Sequence, residues 1–265
     1  MFESFILGAV QGIAEWLPVS SEAMIVLVKT NFFPDGTSFS ENISLAIFLH
    51  LGTLLAVVVY YRKKLWRLVQ DFFQYKQLES QRKNYLSFII IATMVSGILG
   101  VVLLKIVEHY EYLFINTQTI NIIVAVFLSI TAILLYISEN KKGTGVVQLS
   151  WKRALGTGLF QGLAAIPGIS RSGSTVAGMG LLGIDKERAL ELSFILSVPL
   201  VLFANVILNF KMIQNLSFNN IVGLASAFVF GLATIAALLQ IVKKIRFSYF
   251  VGIFVILLII FSILV

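Results

Sequence analysis

Apolar stretches of bilayer-crossing length recur along the whole of this 265-residue chain, and no polar block between them is long enough to fold as a separate soluble domain. Residues 43–61, 85–107, 120–137, 189–210, 221–242 and 247–265 each approach the roughly 20 apolar residues that a spanning helix needs. The chain is 12% charged, where a soluble domain carries about 25%, and its mean hydropathy is +0.93. The expected class is therefore an all-α polytopic membrane protein with about six full transmembrane helices, one integral membrane domain over residues 1–265. This composition excludes a soluble enzyme. The absence of cysteine excludes disulfides, thiolate nucleophiles and cysteine-based metal sites.

The loops choose an orientation. With residues 43–61 ending inside, the loops at 62–83, 139–153, 184–188 and 243–246 are cytoplasmic and carry sixteen of the twenty Lys and Arg. The opposite loops hold Lys29 and Lys211 against Asp35, Glu41, Glu108 and Glu111. The net charge of +7 is thus explained by positive-inside loops, and no nucleic-acid partner is expected. Residues 62–83, basic and rich in aromatics, are expected to lie along the membrane surface. Residues 26–41 read as a loop or frayed helix end, 108–116 as an acidic turn and 138–153 as a basic loop. The first apolar segment lacks the basic start of a signal peptide and runs directly into polar residues, so it is read as part of the fold.

One arginine stands out. Arg171 lies in Pro167-Gly168-Ile169-Ser170-Arg171-Ser172-Gly173-Ser174-Thr175, between two apolar runs. A guanidinium at bilayer depth costs at least about 2.5 kcal/mol, so it is retained where it meets an anion or lines a wet cavity. Gly168 permits close backbone approach, Ser170, Ser172, Ser174 and Thr175 supply hydroxyl donors, and a helix starting near Ser172 directs its free N–H groups to the same place. The pattern is that of a phosphate cradle inside a membrane.

A weaker copy lies 150 residues earlier. Gly8, Gln11, Gly12, Ala14, Pro18 and Ser20 correspond to Gly158, Gln161, Gly162, Ala164, Pro167 and Ser170, with a one-residue shift at the prolines. Three expected spans separate the copies, so the second enters from the opposite side. This predicts an inverted repeat, about 1–138 and 150–265, with two re-entrant helix pairs whose breaks meet and place Glu15, Ser20 and Ser21 opposite Arg171. Recurrence of small residues for helix packing alone is the other explanation.

Candidate chemistry follows from this placement. Gln11 and Glu15, four apart, share a helix face, and a buried carboxylate there can take a proton or hold a cation. Ser21 is the candidate nucleophile, with Glu15 and Glu22 nearby. Ser20 is assigned either to capping the next helix or to the substrate. Arg171 would grip phosphate with its fork. For Glu15 and Arg171 an ion pair serving packing alone remains the alternative. His50, mid-span beside Gly52 and Thr53, is read as a hydrogen-bonded interhelical residue, and Gly97, Gly100, Gly178, Gly180 and Gly183 as close helix contacts.

These motifs resemble those of the undecaprenyl pyrophosphate phosphatases, the bacitracin-resistance BacA family. The P-G-x-S-R-S-x-x-T motif is met at Pro167, Gly168, Ser170, Arg171, Ser172 and Thr175, and the [E/Q]-x-x-x-E motif at Gln11 and Glu15. The resemblance implies hydrolysis of a C55 isoprenyl diphosphate to the monophosphate at the outer side of the cytoplasmic membrane. It also implies help from a divalent cation, Mg²⁺ or Ca²⁺, with Glu15 as a metal ligand. Glu15, Ser21 and Arg171 become the catalytic set, and Gln11, Ser20, Glu22, Gly168, Ser170, Ser172, Ser174 and Thr175 the substrate contacts. Expected partners are the isoprenyl diphosphate lipid, the bilayer and, as one option, a second copy of the chain. One departure stands out: the histidine that the family carries after P-V-S-S, regarded as catalytic, is Met24 here. A thioether moves no protons, which assigns proton transfer to Glu15 and Glu22 and keeps a polyprenyl-phosphate transporter with little hydrolysis as the alternative.

Overall fold

A computed structural model describes residues 1–110, 112, 116–141, 148–242 and 244–264. The expected acidic turn at 108–116, the basic loop at 138–153 and the loop at 243–246 lie partly outside the described residues. Among those described, the protein is helical throughout, with no strand: α1 (Phe2–Ala14), α2 (Ser21–Phe32), α3 (Phe39–Tyr60), α4 (Arg62–Phe73), α5 (Ser80–His109), α6 (Thr117–Asn140), α7 (Trp151–Gly162), α8 (Arg171–Leu181), α9 (Lys186–Leu208), α10 (Phe210–Gln214), α11 (Phe218–Ile241) and α12 (Phe247–Leu264).

Five of these, α3, α5, α6, α9 and α11, are long and apolar enough to cross a bilayer, and α12 is a shorter apolar helix. The expected boundaries shift in three places. α2 runs to Phe32, deep into the stretch read as loop, α5 begins at Ser80, and α10 follows α9 after a single residue. α4 is an amphipathic helix between spans, with Trp66 and Phe73 largely exposed on one side and Lys63 and Arg67 on the other. Such a helix suits the membrane interface.

Four further helices, α1, α2, α7 and α8, have 13, 12, 12 and 11 residues. At about 1.5 Å per residue none covers the hydrocarbon core of about 30 Å. They come in broken pairs, α1–α2 and α7–α8. The first break contains Pro18, which has no N–H to continue a helix, and Ser20, whose φ of 58° lies in the left-handed region. The second contains Pro167 and Gly168, with Gly168 at φ 99° and packed so tightly that a β-carbon there would lie 2.9 Å from Phe127. Side-chain caps start several of the helices. Ser38 and Glu41 form a capping box on α3, while Ser150, Ser170 and Ser217 each cap the helix that follows.

Packing repeats between the two halves. α1 lies along α11 as α7 lies along α5, α2 meets α3 as α8 meets α9, and α6 pairs with α12. Glycines allow the closest of these approaches. A β-carbon at Gly12 would sit 2.7 Å from the Gly231 nitrogen, and one at Gly158 would sit 2.7 Å from the Ala92 carbonyl oxygen. Related contacts are not all equal. α3 and α11 are in close contact through Gly52, where a β-carbon would sit 2.5 Å from the Leu224 carbonyl oxygen, whereas α5 and α9 touch over a shorter stretch and leave a groove between them.

Candidate active site

The two breaks meet. Ser172 donates to the Leu17 carbonyl at 2.8 Å, Gly173 packs on Pro18, and the Arg171 guanidinium pairs with Glu15 Oε1. Glu15 is 4% exposed, so its charge is tolerable only with partners. It has several. Besides Arg171, its Oε2 accepts from Gln11 Nε2 at 2.9 Å and from the Ser21 hydroxyl at 2.6 Å. Arg171 is held in turn by the Ser193 carbonyl at 3.0 Å and lies over the Trp16 ring, 5.8 Å from its centroid. Trp16 is fixed by an indole N–H bond to the Gly231 carbonyl at 3.0 Å. The predicted contact of Glu15 with Arg171, and of Gln11 and Ser21 with Glu15, is thus found as an actual cluster.

His50 belongs to it as well: the interhelical hydrogen bond expected of it is made to Glu15, which sets an imidazole beside the carboxylates to which proton transfer was assigned. Its Nε2 lies 2.9 Å from Glu15 Oε2 and 3.4 Å from Ser21 Oγ. Its Nδ1 lies 2.6 Å from the Ala46 carbonyl, which only accepts, so Nδ1 carries a proton. Nε2 faces a carboxylate, so one further proton is shared across that contact. An imidazole is therefore present beside the candidate nucleophile, delivered by α3, while Met24 packs with Ala23, Val26, Phe39 and Ile43. Position in the chain hid this: His50 lies 35 residues beyond Glu15 and reaches it only because α3 packs on both α1 and α2.

The other expected substrate contacts are placed differently. Ser170 accepts from the Gly173 N–H at 3.1 Å, Thr175 donates to the Arg171 carbonyl at 2.6 Å and Ser174 donates to the same carbonyl at 3.4 Å. All three are buried, as are Ser172 and Gly168, and none lines the cavity at Arg171. They hold the break and aim the arginine. Ser20 occupies the N-cap of α2 without a side-chain capping bond, which departs from a simple cap.

A cavity of about 260 Å³ opens beside the cluster, with Glu22, His50, Gln161 and Arg171 at one end. It continues between α5 and α9 past Gly97, Gly100, Leu104, Leu200, Phe203 and Ile207 to Lys105 and Glu108. Gly97 and Gly100 were expected in close helix contacts, yet β-carbons there would meet nothing nearer than 3.8 Å and 3.9 Å. They form part of the groove wall. Gly178, by contrast, is in tight contact with Phe160, as expected. Among the described residues no three His, Asp or Glu side chains gather as a metal site.

Fold and site together define a polytopic membrane protein in which two broken helix pairs and α3 gather a carboxylate, a hydroxyl, a guanidinium and an imidazole beside the end of a mostly apolar groove. The chain belongs to the bacitracin resistance protein BacA family, whose model matches residues 4–261. It is 41% identical to a protein of Methanococcoides burtonii named undecaprenyl-diphosphatase, over 94% of this chain and 93% of that one. Proteins of the same name from Treponema denticola and Methanosphaera stadtmanae are 36% and 35% identical, over 94% and 92% of this chain and 92% and 90% of theirs.

Proposed function

We propose that this protein hydrolyses undecaprenyl diphosphate, or a similar polyprenyl diphosphate, to the monophosphate and inorganic phosphate, recycling a lipid carrier for cell-envelope glycan synthesis. The observation that carries this reading is the Glu15–Arg171–Ser21–His50 cluster, whose Arg171 and His50 line the end of a groove with apolar walls while Glu15 and Ser21 lie buried behind them. An amphiphile with a diphosphate head and an isoprenyl tail matches both ends of that space. The names of the relatives agree with it.

The chemistry divides among the residues as follows. Arg171 grips the terminal phosphoryl group and balances the charge that develops on it. The Ser21 oxygen attacks the terminal phosphorus, its proton passing to the Glu15–His50 couple. The bond from that phosphorus to the bridging oxygen breaks, and the polyprenyl monophosphate leaves. Water then opens the phosphoserine, one proton returns to Ser21, and phosphate departs. A divalent cation would supply positive charge against the diphosphate, and Glu22, which lines the cavity, would be the carboxylate to hold it.

The matching helix pairings of the two halves support an inverted repeat with re-entrant α1–α2 and α7–α8. The loop charges support the cytoplasmic membrane as the location, with the Lys105 end of the groove toward the outer side. The transporter alternative draws on the inverted repeat and on the loss of histidine at position 24; His50 removes the second ground, and the relatives' names favour the phosphatase.

Phosphate release from farnesyl and undecaprenyl diphosphates by detergent-solubilised protein, with and without Mg²⁺ and Ca²⁺, tests the reading. Release that disappears in Arg171→Ala is the expected outcome, and no release from either substrate under any condition would refute it.

A further inference from the structure

We propose that the cavity between α4 and the start of α5 binds a membrane lipid with an anionic, phosphate-bearing headgroup, held by Lys63 and Arg67 in the leaflet that α4 lies against. The loop charges make that leaflet the cytoplasmic one. The site is separate from the catalytic cluster and independent of the reaction proposed there.

The cavity is open and holds about 910 Å³, with Lys63, Lys64, Arg67, Gln70, Asp71 and Arg82 in its lining. Two of its four cations already have carboxylate partners. Arg82 forks onto Asp71, its Nε donating to Oδ2 at 3.2 Å, and Lys64 pairs with Glu191 of α9 while lying 5.2 Å from the centroid of the Tyr85 ring. Lys63 and Arg67 are exposed and make no hydrogen bond or ion pair among the described residues. Four apart on α4, they stand one helical turn from each other on the cavity side. Like charges so placed repel each other, and Asp71 on the next turn is matched by Arg82, so an anion from outside is what relieves them.

The position of the cavity makes that anion a lipid. α4 follows the α3 span after the single residue Tyr61 and leads by a short connection into the α5 span, so it is tied to the membrane surface at both ends. Trp66, Val69 and Phe73, spaced along one stripe of α4, are 64%, 47% and 80% exposed. Cations on one flank of an interfacial helix and aromatic side chains on the other match the headgroup and the acyl chains of a single amphiphile. Lys and Arg next to a spanning helix attract anionic lipids in this way.

The test is native mass spectrometry of the purified full chain in a neutral detergent, titrated with dioctanoyl phosphatidylglycerol, with dioctanoyl phosphatidylcholine and inorganic phosphate in parallel arms. Phosphatidylglycerol should bind the most tightly of the three. Lys63→Gln combined with Arg67→Gln should raise its Kd about thirtyfold, from about fivefold for each charge lost, while the charge-keeping pair Lys63→Arg and Arg67→Lys should retain the wild-type Kd. Gln70→Arg, which adds a cation to the lining, should lower the Kd about fivefold, a gain that misfolding cannot produce. Arg171→Ala, which should end phosphate release, should leave this binding unchanged. Wild-type affinity in the Lys63→Gln, Arg67→Gln variant overturns the inference, as does an unchanged Kd in Gln70→Arg or equal affinity for phosphatidylcholine. Inorganic phosphate bound as tightly as phosphatidylglycerol, and lost in the same variant, overturns it in favour of a free anion. Binding lost in Arg171→Ala but kept without Lys63 and Arg67 overturns it in favour of the catalytic groove.

Discussion

His50 Nε2 and Glu15 Oε2, from helices α3 and α1–α2, lie 2.9 Å apart within reach of the Ser21 hydroxyl. The contact supplies an imidazole to a site whose α2 position carries Met24, and it makes the source of proton transfer testable. His50→Gln should lower phosphate release by about a hundredfold or more, the scale of lost acid–base catalysis. Adding Met24→His to that variant should restore part of the rate if the two positions serve the same cavity. Wild-type turnover in His50→Gln would return proton transfer to the carboxylates.

Arg171→Lys keeps one positive charge but loses the fork that spans Glu15 and the Ser193 carbonyl. Turnover should drop by about a hundredfold, the scale of one lost electrostatic donor, rather than by a small factor. Steady-state phosphate release at saturating substrate checks this. A rate within a factor of about two of wild type would exclude bidentate recognition.

The groove wall makes a different prediction. Gly97→Leu places a side chain toward Phe203, where a β-carbon alone already comes within 3.8 Å of the ring. KM for undecaprenyl diphosphate should rise by roughly tenfold, about 1.4 kcal/mol, with kcat little changed. Farnesyl diphosphate, with its short tail, should be affected less. Equal effects on both substrates would move the tail out of this groove.

Away from the membrane core, Lys29 pairs with Asp35 at 2.6 Å and with Glu3, tying the ends of α1 and α2 to the following loop. The Lys29 ammonium, with help from Thr37, holds the Asp35 carboxyl down at about 2. Because that lies below the unfolded value of about 3.9, the stabilisation is present above about pH 4 and is lost as pH falls toward 2. The thermal midpoint of Asp35→Asn in detergent should lie below wild type near neutrality, and the gap should narrow from about pH 4 downward. A gap independent of pH would assign the loss to something other than this charge.

The sequence exposed one half of the site better than the other. Glu15 and Arg171 were legible because a charge inside an apolar run needs a reason, and because Gln-Gly and Pro recur 150 residues apart in order. The chemistry of Ser170 to Thr175 was overread, since hydroxyls next to an arginine can serve either a ligand or the turn, and here they bond the backbone. His50 and the groove were not legible for a shared reason. Both depend on how a long helix sits against partners distant in sequence: α3 close on α2, and α9 touching α5 only in part. Nothing in the spacing around His50 or Gly97 encodes those distances. The helices themselves were the easiest to read, as their length answers to the bilayer and their ends to Pro, Ser and Gly.

The inequality of α3–α11 and α5–α9 bears on traffic through the molecule. If the lipid arrives by the α5–α9 slot, the dephosphorylated carrier must back out along the same path before another can arrive, since the corresponding seam is shut at Gly52. Substrate and product then queue at one doorway. Turnover on long-chain substrates should be slowed by accumulated polyprenyl monophosphate far more than by inorganic phosphate, so the supply of carrier would be throttled by its own abundance in the surrounding leaflet.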